Sequence, residues 1–185
     1  MAVKREMKNE TVQKGFSVAD LILVAILLAA GAVLKYFVGS LLNVAGMKPN
    51  FIIAMYCLAI LLIRPKVPQA AVIGLISGAI CQFAPGTPFI NIGSELVGAV
   101  VMVLLMKLPL QLGKVNIRPV VCTFLATLSS GFTFIGLQYL MLAAGLDVTA
   151  TPMLAFLPVI FGTALINSII VQALYLPLRY TVKKD

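Results

Sequence analysis

The chain has 185 residues, 61% of them hydrophobic and only 11% charged, with a mean hydropathy of +1.08. A soluble domain carries about 25% charged residues, so a water-soluble globule is excluded, and the net charge of +8 calls for a cause other than nucleic acid. Histidine is absent, and Cys57, Cys81 and Cys122 stand singly in apolar runs. That removes His-based triads, His-ligated metals and a disulfide framework, and the cysteines are expected to pack as small apolar groups.

Residues Met1–Ser17 form a polar arm containing Lys4, Arg5, Glu6, Lys8, Glu10 and Lys14. The apolar run that follows is too long for a signal-peptide core, so residues 1–17 are read as a retained cytoplasmic tail. The first membrane span is expected over Val18–Val38. The second, Phe51–Ile63, is short and opens on Pro49-Asn50. Arg64-Pro65-Lys66-Val67-Pro68 breaks the chain before a third span, Gln69–Phe83. The loop Ala84-Pro85-Gly86-Thr87-Pro88 leads to a fourth, Ile92–Leu108. The fifth covers Pro119–Ala143 and the sixth Met153–Leu178. A bilayer crossing takes roughly 20 apolar residues, which makes residues 18–178 one compact all-α bundle of six transmembrane helices, followed by a tail over 179–185. No internal repeat of the inverted kind found in many secondary transporters is present.

The basic residues set an orientation. With the N-terminus in the cytoplasm, Lys4, Arg5, Lys8 and Lys14 are inside, as are Arg64, Lys66, Lys107, Lys114, Arg118, Arg179, Lys183 and Lys184. Only Lys35 and Lys48 of the 14 lysines and arginines fall outside. This is the positive-inside pattern, and it accounts for the basic balance. Both termini are expected on the cytoplasmic side of the plasma membrane. The segments Gly39–Asn50, Ala84–Asn91 and Gly145–Pro152 are then the outer loops.

Ionisable groups at membrane depth are costly and mark functional candidates. Asp20, at the inner end of the first span, reads as structural. Lys35, near the outer end, is expected to snorkel to the interface. Lys48 at the mouth of the second span and Glu95 in the fourth meet in the same outer layer, either as an ion pair or as contacts for a zwitterionic or multiply polar solute. Asn50, Gln82, Asn91 and Gln138 join them at similar depth. Asn167, mid-way along the sixth span, reads as a hydrogen-bonding link between helices or the floor of a cavity. Tyr36, Phe51, Phe83, Phe89, Phe132, Tyr139 and Phe156 supply aromatic lining of the kind small-molecule pockets use. The expected substrate contacts are Lys48, Asn50, Gln82, Phe89, Asn91, Glu95, Gln138, Tyr139 and Asn167. On the first span Ala25, Ala29 and Ala32 share a helical face of small residues, which admits close approach of another helix.

Several segments together resemble a known family. They are Gly46-Met47-Lys48-Pro49-Asn50-Phe51 with Ala54-Met55 and Ala59-Ile60-Leu61-Leu62, then Pro88-Phe89-Ile90-Asn91-Ile92, Ser130-Gly131 and Ala164-Leu165-Ile166-Asn167. The chain resembles the substrate-binding S components of energy-coupling factor (ECF) transporters, and within them the tryptophan-transporter (TrpP-like) group. Glu95 stands where that group's pattern has a lysine, four residues after Asn91. The resemblance implies a bacterial plasma membrane and capture of one micronutrient on its outer face, a B-type vitamin, its precursor or tryptophan. It also implies closure of the Lys48 and Pro85–Pro88 loops over it. The alanine face would dock on a transmembrane coupling (T) subunit served by two ATPase subunits. No GxxxxGK[ST] run is present, consistent with ATP hydrolysis in partners. No cofactor, metal or catalytic residue is expected. An intramembrane enzyme lacks its residues here: histidine is missing, and Asp20, Asp147 and Asp185 share no depth. The alternatives are a self-sufficient secondary transporter and a non-transport subunit of a membrane complex.

Overall fold

The computed structural model describes residues 15–42, 48–83, 89–108, 110–112, 115–148 and 152–181. The described elements are six membrane helices and one small hairpin. Helix α1 is Val18–Leu41, α2 Ile52–Ile63, α3 Val67–Cys81, α4 Ile90–Leu105, α5 Arg118–Ala143 and α6 Met153–Thr181. Between α4 and α5, β1 (Gln111–Leu112) pairs antiparallel with β2 (Val115–Asn116). The all-α, six-helix expectation holds, with helix ends within three residues of those read from the sequence. Arg179–Thr181, expected in the C-terminal tail, continue α6 instead.

Helices α1, α5 and α6 are long and apolar enough to cross a membrane, at 24, 26 and 29 residues. Helices α2, α3 and α4 have 12, 15 and 16 residues. At 1.5 Å per residue they measure about 18 to 24 Å, less than the roughly 30 Å of bilayer hydrocarbon. These short helices depend on the long ones for their surroundings. Helix α2 shows this most clearly: every residue from Ile52 to Leu61 is buried, and it touches all five other helices. An all-round apolar helix of this length is stable only as a central post.

Local signals set the helix ends. Ser17 and Asp20 form a reciprocal capping box at the start of α1, with Ser17 N donating to Asp20 Oδ2 at 2.9 Å and Asp20 N donating to Ser17 Oγ at 3.2 Å. The structural role expected of Asp20 is therefore met. Pro68 and Pro119 occupy first turns, where a missing N–H costs nothing. Gln69 Oε1 accepts from Lys66 N at 2.8 Å at the mouth of α3. Near its far end, α1 relaxes into a π-helical turn, Leu34–Val38, in which Gly39 N donates to Leu34 O.

Close backbone approach holds the helices together. A Cβ at Gly78 of α3 would lie 2.5 Å from Ile92 Cα and 2.8 Å from Asn91 O of α4. Backbone cannot yield there, so Gly78→Val should lower stability by about 1–3 kcal/mol or more. Gly136 on α5 has nothing within 4 Å of such a Cβ, and Gly136→Ala should be neutral or raise stability by up to about 1 kcal/mol. Thermal unfolding of the two variants in one detergent makes the comparison. Equal melting temperatures would contradict the packing described.

Candidate binding site

Glu95 lies one turn and a half into α4, is 1% exposed, and points into the middle of the bundle. Burial of a carboxylate costs several kcal/mol unless donors replace its water. Two replace it directly: Asn50 Nδ2 donates to Glu95 Oε1 at 2.5 Å, and Ser130 Oγ of α5 donates to Oε2 at 3.3 Å. The buried Tyr56 hydroxyl of α2 also faces the carboxylate, short of ideal hydrogen-bond geometry. Gly98, one turn beyond Glu95, leaves the room that this hydroxyl takes up.

Asn50 is the hub of the cluster. Its Oδ1 accepts from Ile52 N at 3.3 Å, which closes the mouth of α2 and turns the amide donor toward Glu95. Its main-chain carbonyl accepts from Asn167 Nδ2 of α6 at 3.1 Å. Asn167, fully buried, also reaches Thr127 Oγ1 of α5 at 3.4 Å, while its Oδ1 has no hydrogen-bond partner. Cys81, at the end of α3, places its sulfur 3.8 Å from Asn50 Nδ2. The cation of this layer is Lys35. It is 8% exposed, and its ammonium faces Cys81 and the Glu95 carboxylate. Lys35, Asn50, Cys81, Glu95, Ser130 and Asn167 thus bring one polar group each from α1, the mouth of α2, α3, α4, α5 and α6.

Three of the nine expected contacts, Asn50, Glu95 and Asn167, meet in this cluster. Lys48 does not. It is exposed, and its Nζ donates to Ser40 Oγ at 3.1 Å, so of the two alternatives for Lys48 and Glu95 the ion pair is not formed. The snorkelling expected of Lys35 is corrected too. Lys35 falls four residues after Gly31 on the buried stripe Asp20, Val24, Leu27, Gly31, and helical phase turns it inward. Gln82 serves the backbone: its Oε1 accepts from Phe89 N at 3.1 Å and its Nε2 donates to Gly78 O at 3.2 Å. Phe89 is exposed in the left-handed conformation, φ 66°, at the start of α4. Asn91 is half-buried and accepts from Ser94 Oγ through its carbonyl. Gln138 is buried and Tyr139 partly exposed, about two turns beyond Ser130. Gly46, Met47 and the Pro85–Pro88 loop lie outside the described residues.

Beside the cluster an apolar groove of about 400 Å³ runs between the end of α1 and α6, lined by Leu41, Leu42, Pro49, Pro158, Val159 and Thr163 among others. Its volume is within the range of small-molecule pockets. Pro49 of the groove is followed in the chain by Asn50, and Ile166 by Asn167, so groove and cluster are joined at two places through neighbouring residues. No aromatic ring among the described residues lines this groove. Of the expected aromatic set, Phe51 and Phe156 are in the core and Phe83 points outward. The tyrosine Tyr36 ties α1 to α3 by donating to Ile80 O at 2.6 Å.

The family model described as "Tryptophan transporter TrpP" matches residues 17–183. The chain belongs to that family. No curated protein and no solved structure matches it. TrpP proteins are an ECF S-component family, so the chain is a multi-pass membrane transport protein and no enzyme. Within this TrpP protein, Lys35, Tyr56, Cys81, Thr127 and Ser130 are the members of the polar layer that sequence reasoning left out of the site. The inward phase of Lys35 on α1 is the signal that could have found the first.

The Asn50–Glu95 bond carries a prediction. Asn50→Ala should cost about 2 kcal/mol by leaving Glu95 Oε1 without its donor. In a double-mutant cycle with Glu95→Met, which removes the acceptor, stability measured by thermal unfolding should show a coupling of at least about 1 kcal/mol. Additive effects would contradict a direct bond.

Proposed function

We propose that this chain is the solute-capturing subunit of an ECF-type importer, binding tryptophan in the polar layer around Glu95 and in the groove next to it. The observation that carries the reading is the layer itself: in a chain that is 11% charged, six helices each send a polar group to one buried place. Membrane proteins keep such groups where a solute is handled. The groove of about 400 Å³ takes the apolar ring, and the cluster, one residue along the chain from Pro49 and from Ile166, takes the polar head.

The cluster lies toward the ends of α1, α3 and the beginnings of α2 and α4, away from Ser17, Arg64, Lys66, Lys107, Arg118 and Arg179. By the positive-inside rule that basic end is cytoplasmic, and the cluster opens outward. Energy then comes from a coupling subunit and two ATPases. The docking surface is the face of α1 holding Ala25 and Ala29. Both are exposed, and they continue with exposed Val18, Ile22 and Val33, whereas Ala32 is half-buried toward the bundle.

The purified protein should bind tryptophan without ATP. Gly162 lines the groove and has nothing within 4 Å of an added Cβ, so Gly162→Leu should fold normally and weaken binding by about 10-fold or more. Ala25→Leu with Ala29→Leu should leave binding intact and abolish uptake in cells that hold the coupling subunits. Tryptophan uptake by this chain alone in sealed vesicles under a proton gradient would contradict the division of labour.

A further inference from the structure

Glu95 and Lys35, an acid and a base, are both more than nine-tenths buried and lie in one layer. They nonetheless make no direct contact among the described residues: the two carboxylate oxygens are held by Asn50 and Ser130, and the ammonium faces the sulfur of Cys81. A buried cation and a buried anion that serve only the fold gain most by closing on each other, since removal from water costs each several kcal/mol. Held apart in one layer, they present one pole each to whatever lies between. The layer also contains an acceptor with no donor, Asn167 Oδ1.

We propose that Lys35 and Glu95 are the two poles of a zwitterion clamp, Lys35 taking the α-carboxylate and Glu95 the α-ammonium of an amino acid. The assignment rests on the amino-acid reading above and deepens it. The ligand's ammonium would take over Glu95 Oε2, whose bond from Ser130 is the longer of the two at 3.3 Å, against 2.5 Å for that from Asn50. Each pole then meets its complement with no net charge added to the bundle. Specificity for the head group thus comes from two helices, α1 and α4, which must hold their charges at a fixed separation. The ring is discriminated elsewhere, along the groove.

The clamp is tested with tryptophan, tryptamine (no carboxylate) and indole-3-propionate (no ammonium), titrated onto the purified full-length protein. The wild type should bind tryptophan about 10- to 100-fold more tightly than either analogue, the worth of one hydrogen-bonded charge each. Lys35→Met should erase the preference over tryptamine while keeping that over indole-3-propionate, and Glu95→Gln should do the reverse. Lys35→Arg, which keeps the cation, should retain both preferences and guards against a folding defect in Lys35→Met. Equal binding of all three ligands by the wild type overturns the clamp and leaves the tryptophan reading standing. So does an unchanged pattern of preferences in a folded Lys35→Met or Glu95→Gln. Failure of tryptophan to bind overturns that reading, and the clamp with it.

Discussion

The structure turns on how an apolar bundle accommodates one carboxylate. Glu95 sits at 1% exposure in a protein that is 61% hydrophobic, where water cannot solvate it and an unmet carboxylate would outweigh the gain from several buried methyl groups. The chain meets the need from several sides: an amide from the mouth of α2 and a hydroxyl from α5 donate directly, and a phenol from α2 and an ammonium from α1 stand nearby. The positions of four helices, α1, α2, α4 and α5, are thereby tied to one side chain. Helix α6 joins through Asn167, which binds the backbone of Asn50 rather than Glu95 itself. A network of this kind is sensitive to every member, because a half-satisfied buried cluster is worse than an apolar one.

The half-length helices explain why the cluster lies where it does. Helix α2 begins at Ile52, α3 stops at Cys81 and α4 starts at Ile90, so three chain ends meet at one level inside a wall of longer helices. Helix ends carry unsatisfied backbone groups and the residues that cap them. Asn50, Gln82 and Phe89 do that work here, and Asn50 adds the contact to Glu95. Polar chemistry at membrane depth is thus a consequence of helix termination at that depth. The groove follows from the same geometry, since α6 and the end of α1 extend past the start of α2.

Much of this was legible in the sequence, and the exceptions share a cause. Apolar runs and their Pro, Gly and Asn boundaries gave the six helices to within three residues. Depth along each run singled out Asn50, Glu95 and Asn167. Depth alone, however, does not say which way a side chain points. Lys48 and Lys35 lie near the same level, yet Lys48 is in an exposed stretch before a helix and Lys35 is on the buried stripe of one. The same holds for Tyr56, Ser130 and Thr127, ordinary residues of apolar helices until tertiary packing turns them to one point. Gln82, at the right depth, is taken up by backbone carbonyl and amide of its own neighbourhood. Which polar residues meet is a property of helix phase and crossing, and a single chain's hydropathy does not encode it.

Helix α1 joins the two ends of the account. Its outward face presents Ala25 and Ala29, and its inward stripe ends in Lys35 beside a π-helical turn, a helix irregularity that recurs at functional sites. The claim beneath all of this is that Glu95 touches the solute, and the sequence offers a clean probe, because Glu95 is the sole glutamate in residues 11–185. Solid-state NMR of protein labelled with carbon-13 at the glutamate carboxyls, loaded with tryptophan carrying nitrogen-15 at its α-amino group, measures the contact directly. Dipolar coupling at a separation of about 4 Å between that nitrogen and the Glu95 carboxyl carbon is the predicted result; tryptophan that is bound but shows no coupling to Glu95 would contradict it.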